Sequence, residues 1–517
     1  MLALQAELNN SDLTVTITVT IFIKFDQHSN QKTMAVLPSK SDSFKYDQVS
    51  RYISGLIEKG ELKPGDKAPS LRILSKQLGV SISTVSQAYL ILEDQGVLNA
   101  KPQSGFFINT TVNPNNSIAK KTSPAGKPRK VKFGDLFEEI FISANNPRIV
   151  PFGTSKPSME FMPVKSLTRA TRSIISRYPE KCMDYCFPPG DRKLREQIAL
   201  QYANTNTSVS ADDIIVTSGA TEALSLSIQA VAKRGDIIAV ETPTYFSVLR
   251  LIEKMGLLAL EIETDPKTGM ELDALEDAFE TMDIQAVLAS PNISNPLGCL
   301  MPEEKKRELV NLLAERDVPL IEDDVYRDVY FGERSPRSSK SYDFNDMVLS
   351  CSSFSKTLAP GYRIGWILPG RYKTKVIELK QATFSATSSI NQFAMAEFLS
   401  SGQYDRHLVR LRQSMREQVE KGRFLVSTHF PEGTCISSPQ GGNVLWVEMP
   451  RGCNCIEIFN RALQKNIGVT PGILFSSTRK FKNHLRINCG FPWNETNVQA
   501  IETLGKIVSE VLEEQRP

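Results

Sequence analysis

What the sequence lacks narrows it first. No apolar run reaches the roughly 20 residues that a helix needs to cross a bilayer, so no membrane partner is expected. The eight cysteines, Cys182, Cys186, Cys299, Cys351, Cys435, Cys453, Cys455 and Cys489, form no CxxC pair and no zinc-type spacing with the four histidines. That argues against a metal site and against a disulfide framework, and predicts reduced thiols in a cytoplasmic protein. An excess of one charge is missing too: 61 Lys and Arg face 58 Asp and Glu, a formal net charge of +3. Any contact with nucleic acid must then rest on a local basic patch. What is present is ample. The chain has 517 residues, 41% of them apolar, enough for a large core and for two to four domains.

Residues 1–43 read as an N-terminal extension. Thr alternates with apolar residues over 13–25, a strand-like pattern, and Glu7 and Asp12 without a positive charge make a poor signal peptide. Met34 stands just before the organised part. Either the native chain begins there, or the first 33 residues add a short strand.

Residues 44–109 carry a different pattern. Val49, Tyr52, Ile53, Leu56 and Ile57 recur at helix spacing and Gly60 stops the run. Lys63-Pro64-Gly65-Asp66 is a turn. Ser70 caps a short second helix with Leu71, Leu74 and Leu78 inward, and Gly79 closes it. A third helix from about Ser83 turns Val85, Ala88, Tyr89 and Leu92 inward and ends at Gly96. Two strands then flank Lys101-Pro102-Gln103-Ser104-Gly105. Three helices and a hairpin make a winged helix-turn-helix. In such a module the start of the third helix faces base edges in the major groove, here Ser81, Ile82, Ser83, Thr84 and Gln87. Arg72, Lys76 and Lys101 are placed to neutralise phosphates.

The stretch from Ala68-Pro69-Ser70-Leu71-Arg72 through Gly79-Val80-Ser81-Ile82-Ser83-Thr84-Val85 to Glu93-Asp94-Gln95-Gly96 resembles the winged helix of the GntR family. Lys101 to Phe107 looks like that family's wing. Members often carry a basic residue where Ile82 stands. The resemblance implies a double-stranded DNA operator as partner.

Residues 110–149 read as a basic flexible linker. Lys120, Lys121, Lys127, Arg129, Lys130 and Lys132 lie in a stretch rich in Asn, Pro, Ser and Lys. It serves either solvation or phosphate contact. From 150 to 517, helix-like segments alternate with short apolar strands at 214–217, 237–241, 286–289 and 319–322. That alternation predicts an α/β domain with a mostly parallel sheet.

The motifs of this domain match a demanding list. Chemistry with pyridoxal 5'-phosphate (PLP) asks for a lysine to take the aldehyde, a carboxylate for the ring nitrogen, a phosphate cup at a helix N-terminus and an aromatic face. An arginine is needed for a substrate carboxylate. Ser353-Phe354-Ser355-Lys356-Thr357 with Gly361-Tyr362-Arg363-Ile364-Gly365 resembles the lysine segment of fold-type-I aminotransferases. By that resemblance Lys356 holds PLP and carries protons, while Ser353 and Arg363 bind phosphate. Thr217-Ser218-Gly219-Ala220-Thr221 looks like the phosphate cup, formed by Gly219, Ala220 and Thr221. Thr242-Pro243-Thr244-Tyr245 resembles the segment whose ring, Tyr245, stacks on PLP. Asn295-Pro296-Leu297-Gly298 is similar to the family's Asn-Pro-Thr-Gly. Asn295 and Tyr326 would then bond the ring hydroxyl, and Asp323 the ring nitrogen. Asp324 competes for Asp323's place. Tyr185 looks like the residue that reaches a partner subunit's phosphate, and Arg486 like the carboxylate clamp. The resemblance also implies a smaller C-terminal α+β subdomain.

Both modules on one chain resemble the MocR subgroup of GntR regulators. This implies a homodimeric transcriptional regulator whose aminotransferase-like domain senses an amine or amino acid through the Lys356 aldimine, with residual transaminase activity open. The alternative is a genuine amino-acid aminotransferase with an autoregulatory or vestigial DNA-binding module.

Overall fold

A computed structural model describes residues 45–58, 61–62, 66–94, 97–101, 105–108, 126–131 and 136–514. The extension expected over 1–43, with the choice at Met34, lies outside the described residues. So do Gly60, the turn at 63–65, the tip of the wing at 102–104 and most of the basic segment. The chain divides into two units after Ile108.

Among its described residues the first unit is three helices and a hairpin. α1 (Lys45–Glu58), α2 (Leu71–Leu78) and α3 (Ile82–Asp94) precede β1 (Leu98–Lys101) and β2 (Gly105–Ile108). Val49 and Ile53, one helical turn apart, are fully buried against Leu74, Val85, Ala88 and Leu92. The Ser70 hydroxyl accepts the Ile73 N–H at 3.3 Å and caps α2. Gly79 ends that helix at φ +65°, a left-handed conformation that a β-carbon would strain. α3 begins at Ile82, one residue before the start expected from the pattern, because the Ser81 hydroxyl accepts the Thr84 N–H at 3.1 Å. The hairpin pairs antiparallel, Leu98 opposite Ile108, and Phe106 meets the edge of the Tyr89 ring at 5.2 Å.

The second unit is an eight-stranded sheet with a smaller four-stranded sheet after it in sequence. The large sheet is built from β3 (Arg129–Lys130), β4 (Ile215–Thr217), β5 (Ile237–Glu241), β6 (Leu258–Ile262), β9 (Ile284–Ala289), β10 (Leu320–Asp323), β11 (Val348–Ser353) and β12 (Gly365–Leu368). The short ribbon β7 (Thr264–Asp265) and β8 (Gly269–Met270) stands beside it. The order is β3-β6-β5-β9-β10-β11-β12-β4. Strands β6, β5, β9, β10 and β11 run parallel, while β12 is antiparallel to both of its neighbours. These strands are mostly apolar, with Glu261 in β6, Gln285 in β9 and three serines in β11 among the exceptions, because both faces are covered. Ile238 and Val240 enter one core and Ala239 the other, all fully buried. The smaller sheet, β13 (Cys435–Ile436), β14 (Val444–Glu448), β15 (Thr470–Pro471) and β16 (His484–Asn488), is antiparallel throughout.

The linker expected over 110–149 does not extend to 149. Arg129 and Lys130 pair with Ala259 and Leu258 at the edge of the large sheet, and Val131 is buried beside them. The helix Leu136–Ala144 puts Ile140 into the core with Phe152. The apolar stripe of this helix begins after Lys132, the last lysine of the basic segment, and stands outside the polar composition that suggested a linker. All eight cysteines are unpaired. Among the described residues no helix is long and apolar enough to cross a membrane, and no cluster of metal-ligating side chains is present.

Candidate cofactor site and DNA-binding face

A cavity of about 210 Å³ opens at the carboxyl ends of the parallel strands, where open sheets of this kind bind ligands. Each motif reaches it from a strand end. The turn after β4 leads into the helix Ala220–Val231, whose first residues Ala220 and Thr221 line the cavity. The segment after β5 brings Tyr245, that after β9 brings Ser290, Ile293 and Asn295, and β10 ends on Asp323. β11 ends on Ser353 and is followed by Lys356 and Arg363.

The phosphate cup is shaped by missing β-carbons. Gly219 has φ +89°, and a β-carbon there would lie 2.4 Å from Nη2 of Arg363. Gly365 lies beneath it; a β-carbon there would lie 2.6 Å from the Gly219 carbonyl carbon. Arg363 donates to the Ser218 carbonyl at 2.9 Å. The first N–H groups of the following helix have no partner within the helix, which suits them to an anion.

Behind the cup is a pair that no sequence motif signalled. Glu222, in the first turn of this helix, accepts the Ser218 N–H at 2.5 Å and the Lys380 ammonium at 2.6 Å. Lys380 also donates to the Thr387 hydroxyl at 3.0 Å. Both charged side chains are buried.

Lys356 and Asp323 face the same cavity. Lys356 donates from Nζ to the Ser155 carbonyl at 2.8 Å and to its hydroxyl at 3.1 Å. Burial brings its amine down to about 8; Arg486 and Arg363 act in the same direction, and Tyr245 and Asp323 oppose them. Burial pushes the Asp323 carboxyl up to about 6, against the Val325 N–H and Lys356. The competition between Asp323 and Asp324 is decided by side-chain direction. Asp324 turns away from the cavity, pairs with Arg327 at 3.1 Å and accepts from Asn292 at 2.8 Å. Successive residues of a strand point to opposite faces, so only one of the two can serve the cavity.

Three expected residues do not line it: Gly219, in the turn just before Ala220, Arg486 and Tyr185. Arg486 is buried behind Asn295, to whose side-chain oxygen it donates at 3.4 Å, and it also donates to the Gly153 carbonyl at 2.7 Å. Its guanidinium lies between the Phe246 and Phe475 rings, at 5.4 and 5.3 Å. It pairs with no carboxylate among the described residues, and its Nε has no partner. Tyr185 is 72% exposed and stacks on Phe187 at 5.3 Å, away from the cavity of its own chain. These residues fit PLP: a cup without β-carbons, an amine of lowered pKa, a carboxylate at a strand end, and a buried arginine lacking a carboxylate.

On the first unit, Ser83 and Gln87 of α3 and Arg72 and Lys76 of α2 are exposed, and Thr84 is half-buried. Ser81 differs from expectation. Its hydroxyl is engaged as the helix cap and bonds the Ser83 and Thr84 hydroxyls at 2.8 and 2.7 Å. The side chain of Lys101 lies outside the described residues.

Residues 148–504 match the family of class I and II aminotransferases, and residues 45–108 match the bacterial regulatory proteins of the gntR family. The chain belongs to the MocR family. The chain is 36% identical over 470 residues to YjiR of Escherichia coli strain K12, described as an uncharacterized HTH-type transcriptional regulator, covering 91% of this chain and all of that one. YdcR of the same organism, described in the same words, is also 36% identical over 470 residues, 90% of this chain and all of that one. The second unit is similar to LysN, an α-aminoadipate aminotransferase from Thermus thermophilus solved with N-(5'-phosphopyridoxyl)-L-leucine. The TM-score is 0.69 at 25% identity, over 74% of this chain and 97% of that one. In this MocR chain the cavity residues that sequence motifs did not signal include Ser155, Lys156, Ser247, Leu251, Ser290 and Ile293. Ser155 and Lys156 follow a stretch with no motif; Ser155 is tied to the cavity by the bonds that its carbonyl accepts from Lys356 at 2.8 Å and from the Tyr326 hydroxyl at 3.5 Å.

Proposed function

We propose that the protein is a homodimeric, DNA-binding transcriptional regulator in the cytoplasm that holds PLP on Lys356 and responds to an amine or amino acid. The observation that carries the reading is the joint presence, on one chain, of a GntR-type module and a cavity lined by Lys356, Asp323, Tyr245, Asn295, Tyr326, Ser353 and Arg363. When bound, PLP supplies an aldehyde that combines with amines and a ring that withdraws electrons. The chain's own residues do the rest. Ser353, Arg363, Thr221 and the N–H groups after Gly219 hold phosphate. Tyr245 covers the ring, Asp323 holds a proton at its nitrogen, and Asn295 and Tyr326 bond its hydroxyl. Lys356 moves the proton. Arg486 takes the effector's carboxylate, and the exposed Tyr185 is free to reach the partner subunit's phosphate site. The effector changes operator binding by favouring one arrangement of the dimer; a tenfold change needs about 1.4 kcal/mol of differential binding. Ser83, Thr84 and Gln87, with Arg72, Lys76 and Lys101, contact the operator.

Borohydride reduction of PLP-loaded protein followed by peptide mapping tests the lysine, and a gel shift with the protein's own upstream DNA tests the module. Lys356→Ala should lose the reduced adduct and keep DNA binding, while Thr84→Ala with Gln87→Ala should do the reverse. An adduct that survives Lys356→Ala, or no shift at low salt, refutes the assignment.

A second reading has one observation in its favour. Asp323, Lys356 and Arg486 are all present, a set that a pure sensor does not require. Fast, complete turnover of an amino acid with a keto acid would favour an aminotransferase; a slow first half-reaction alone would favour the regulator.

A further inference from the structure

The outer face of α3 carries no cation. The helix reads ISTVSQAYLILED, and its only charges are Glu93 and Asp94 at the far end. Val85, Ala88, Tyr89 and Leu92 are buried in the module. The opposite arc, about 140° wide at 100° per residue, presents Ile82, Ser86, Leu90, Ser83 and Gln87. Ile82 is 49% and Leu90 57% exposed. The nearest basic side chains on the preceding helix are Arg72 and Lys76, one turn apart on α2, both exposed and neither in an ion pair among the described residues.

The chemistry of this arc selects among base pairs. Guanine offers two acceptors, O6 and N7, in the major groove, and the side chains that match them bidentately are Arg and Lys. None stands on α3. Adenine offers a donor beside an acceptor, which the amide of Gln87 matches. Thymine offers a methyl, which an exposed branched aliphatic such as Ile82 matches. Serine hydroxyls accept either pair. Arg72 and Lys76 lie on the helix before, where cations meet phosphates and set register without reading sequence.

We propose that α3 reads A·T base pairs, with Gln87 on an adenine and Ile82 against a thymine methyl. No side chain of this helix can grip guanine bidentately. The inference rests on the regulator reading above and adds to it the class of sequence bound.

Selection of randomised duplexes with the full-length, PLP-loaded protein at low salt tests both. Half-sites with an A·T core are expected. In the best duplex, replacing the contacted thymine by deoxyuridine removes one methyl and should weaken binding about fourfold, the value of one buried methyl. In Ile82→Ala the same replacement should have no effect. Gln87→Glu should move the preference at one position from adenine to cytosine, and Ile82→Arg should introduce a guanine. Ile82 and Gln87 are solvent-facing, so these variants keep the module folded. Half-sites with an invariant guanine core that persists in Ile82→Ala, or indifference to deoxyuridine at every thymine, would overturn the inference and leave the regulator reading standing. Failure to select any duplex would overturn both.

Discussion

Replacing Lys380 by Met removes the cation from a buried pair that supports the phosphate cup. In the native protein Glu222 shares its two oxygens between the Ser218 N–H and the Lys380 ammonium. With Met at 380 the carboxylate keeps only the N–H, in a site where Glu222 is 4% exposed. Breaking a buried pair from one side costs about 3–5 kcal/mol, because a charge is left without compensation. Unfolding entropy of about 2.1 cal/mol/K per residue makes this roughly 0.8 kcal/mol per degree for the unit spanning 109–517. The melting temperature of the PLP-free protein should fall by about 4–6 °C. Glu222→Gln combined with Lys380→Met removes both charges and leaves an amide oxygen for the Ser218 N–H, so most of the loss should return. Scanning calorimetry on the four members of this cycle measures the coupling, and PLP titration of each reports whether the cup follows. A double variant no more stable than Lys380→Met would refute the reasoning, since the loss would then lie in packing of the lysine stem.

Four further outcomes are expected. The rate at which PLP loads onto the cofactor-free protein should rise with pH and level off above about 8, where Lys356 becomes neutral; a rate still climbing at pH 10 would contradict the lowered pKa. Folding raises Asp323 from 3.8 to about 6, so the folded state takes up a proton that the unfolded state does not. Stability of the cofactor-free protein should therefore fall as pH rises from about 4 through 6, and Asp323→Asn should flatten that part of the profile in urea titrations. Gly219→Ala puts a β-carbon 2.4 Å from Arg363 at φ +89°. PLP affinity by fluorescence should drop at least tenfold, with a stability loss of about 1–2 kcal/mol from backbone strain. Ser81→Ala removes the cap of α3, worth about 1 kcal/mol, and should quicken hydrogen exchange in its first turn about fivefold; unchanged exchange would mean the cap bond contributes nothing.

Much of the architecture was written in local patterns. Helix-period apolar residues from Val49 to Leu92, closed by Ser70 and Gly79, specify the winged module with little help from elsewhere. Three of the parallel strands, β5, β9 and β10, were visible because both of their faces are buried, which leaves mostly apolar runs, while β6 and β11, interrupted by Glu261 and by serines, were not. The cavity motifs were visible because turn chemistry and reactive side chains sit close together in sequence: Gly219 before a helix, Asp323 at a strand end, Lys356 between Ser353 and Arg363.

The sequence by itself determined the two modules, the α/β class and the side chains of most of the cavity wall. Only the tertiary structure decided the rest. It chose Asp323 over Asp324 by the alternation of a strand, and it carried Ser155 to Lys356 across 201 positions. It also joined Glu222 to Lys380, took Ser81 for a helix cap, and drew Arg129, Lys130 and the helix from Leu136 out of the supposed linker. The physical reason is the same in each case. Periodicity and turn chemistry are properties of neighbours along the chain. A buried charge, a hydroxyl or an edge strand takes its meaning from whichever distant group the folded chain brings within a few ångströms.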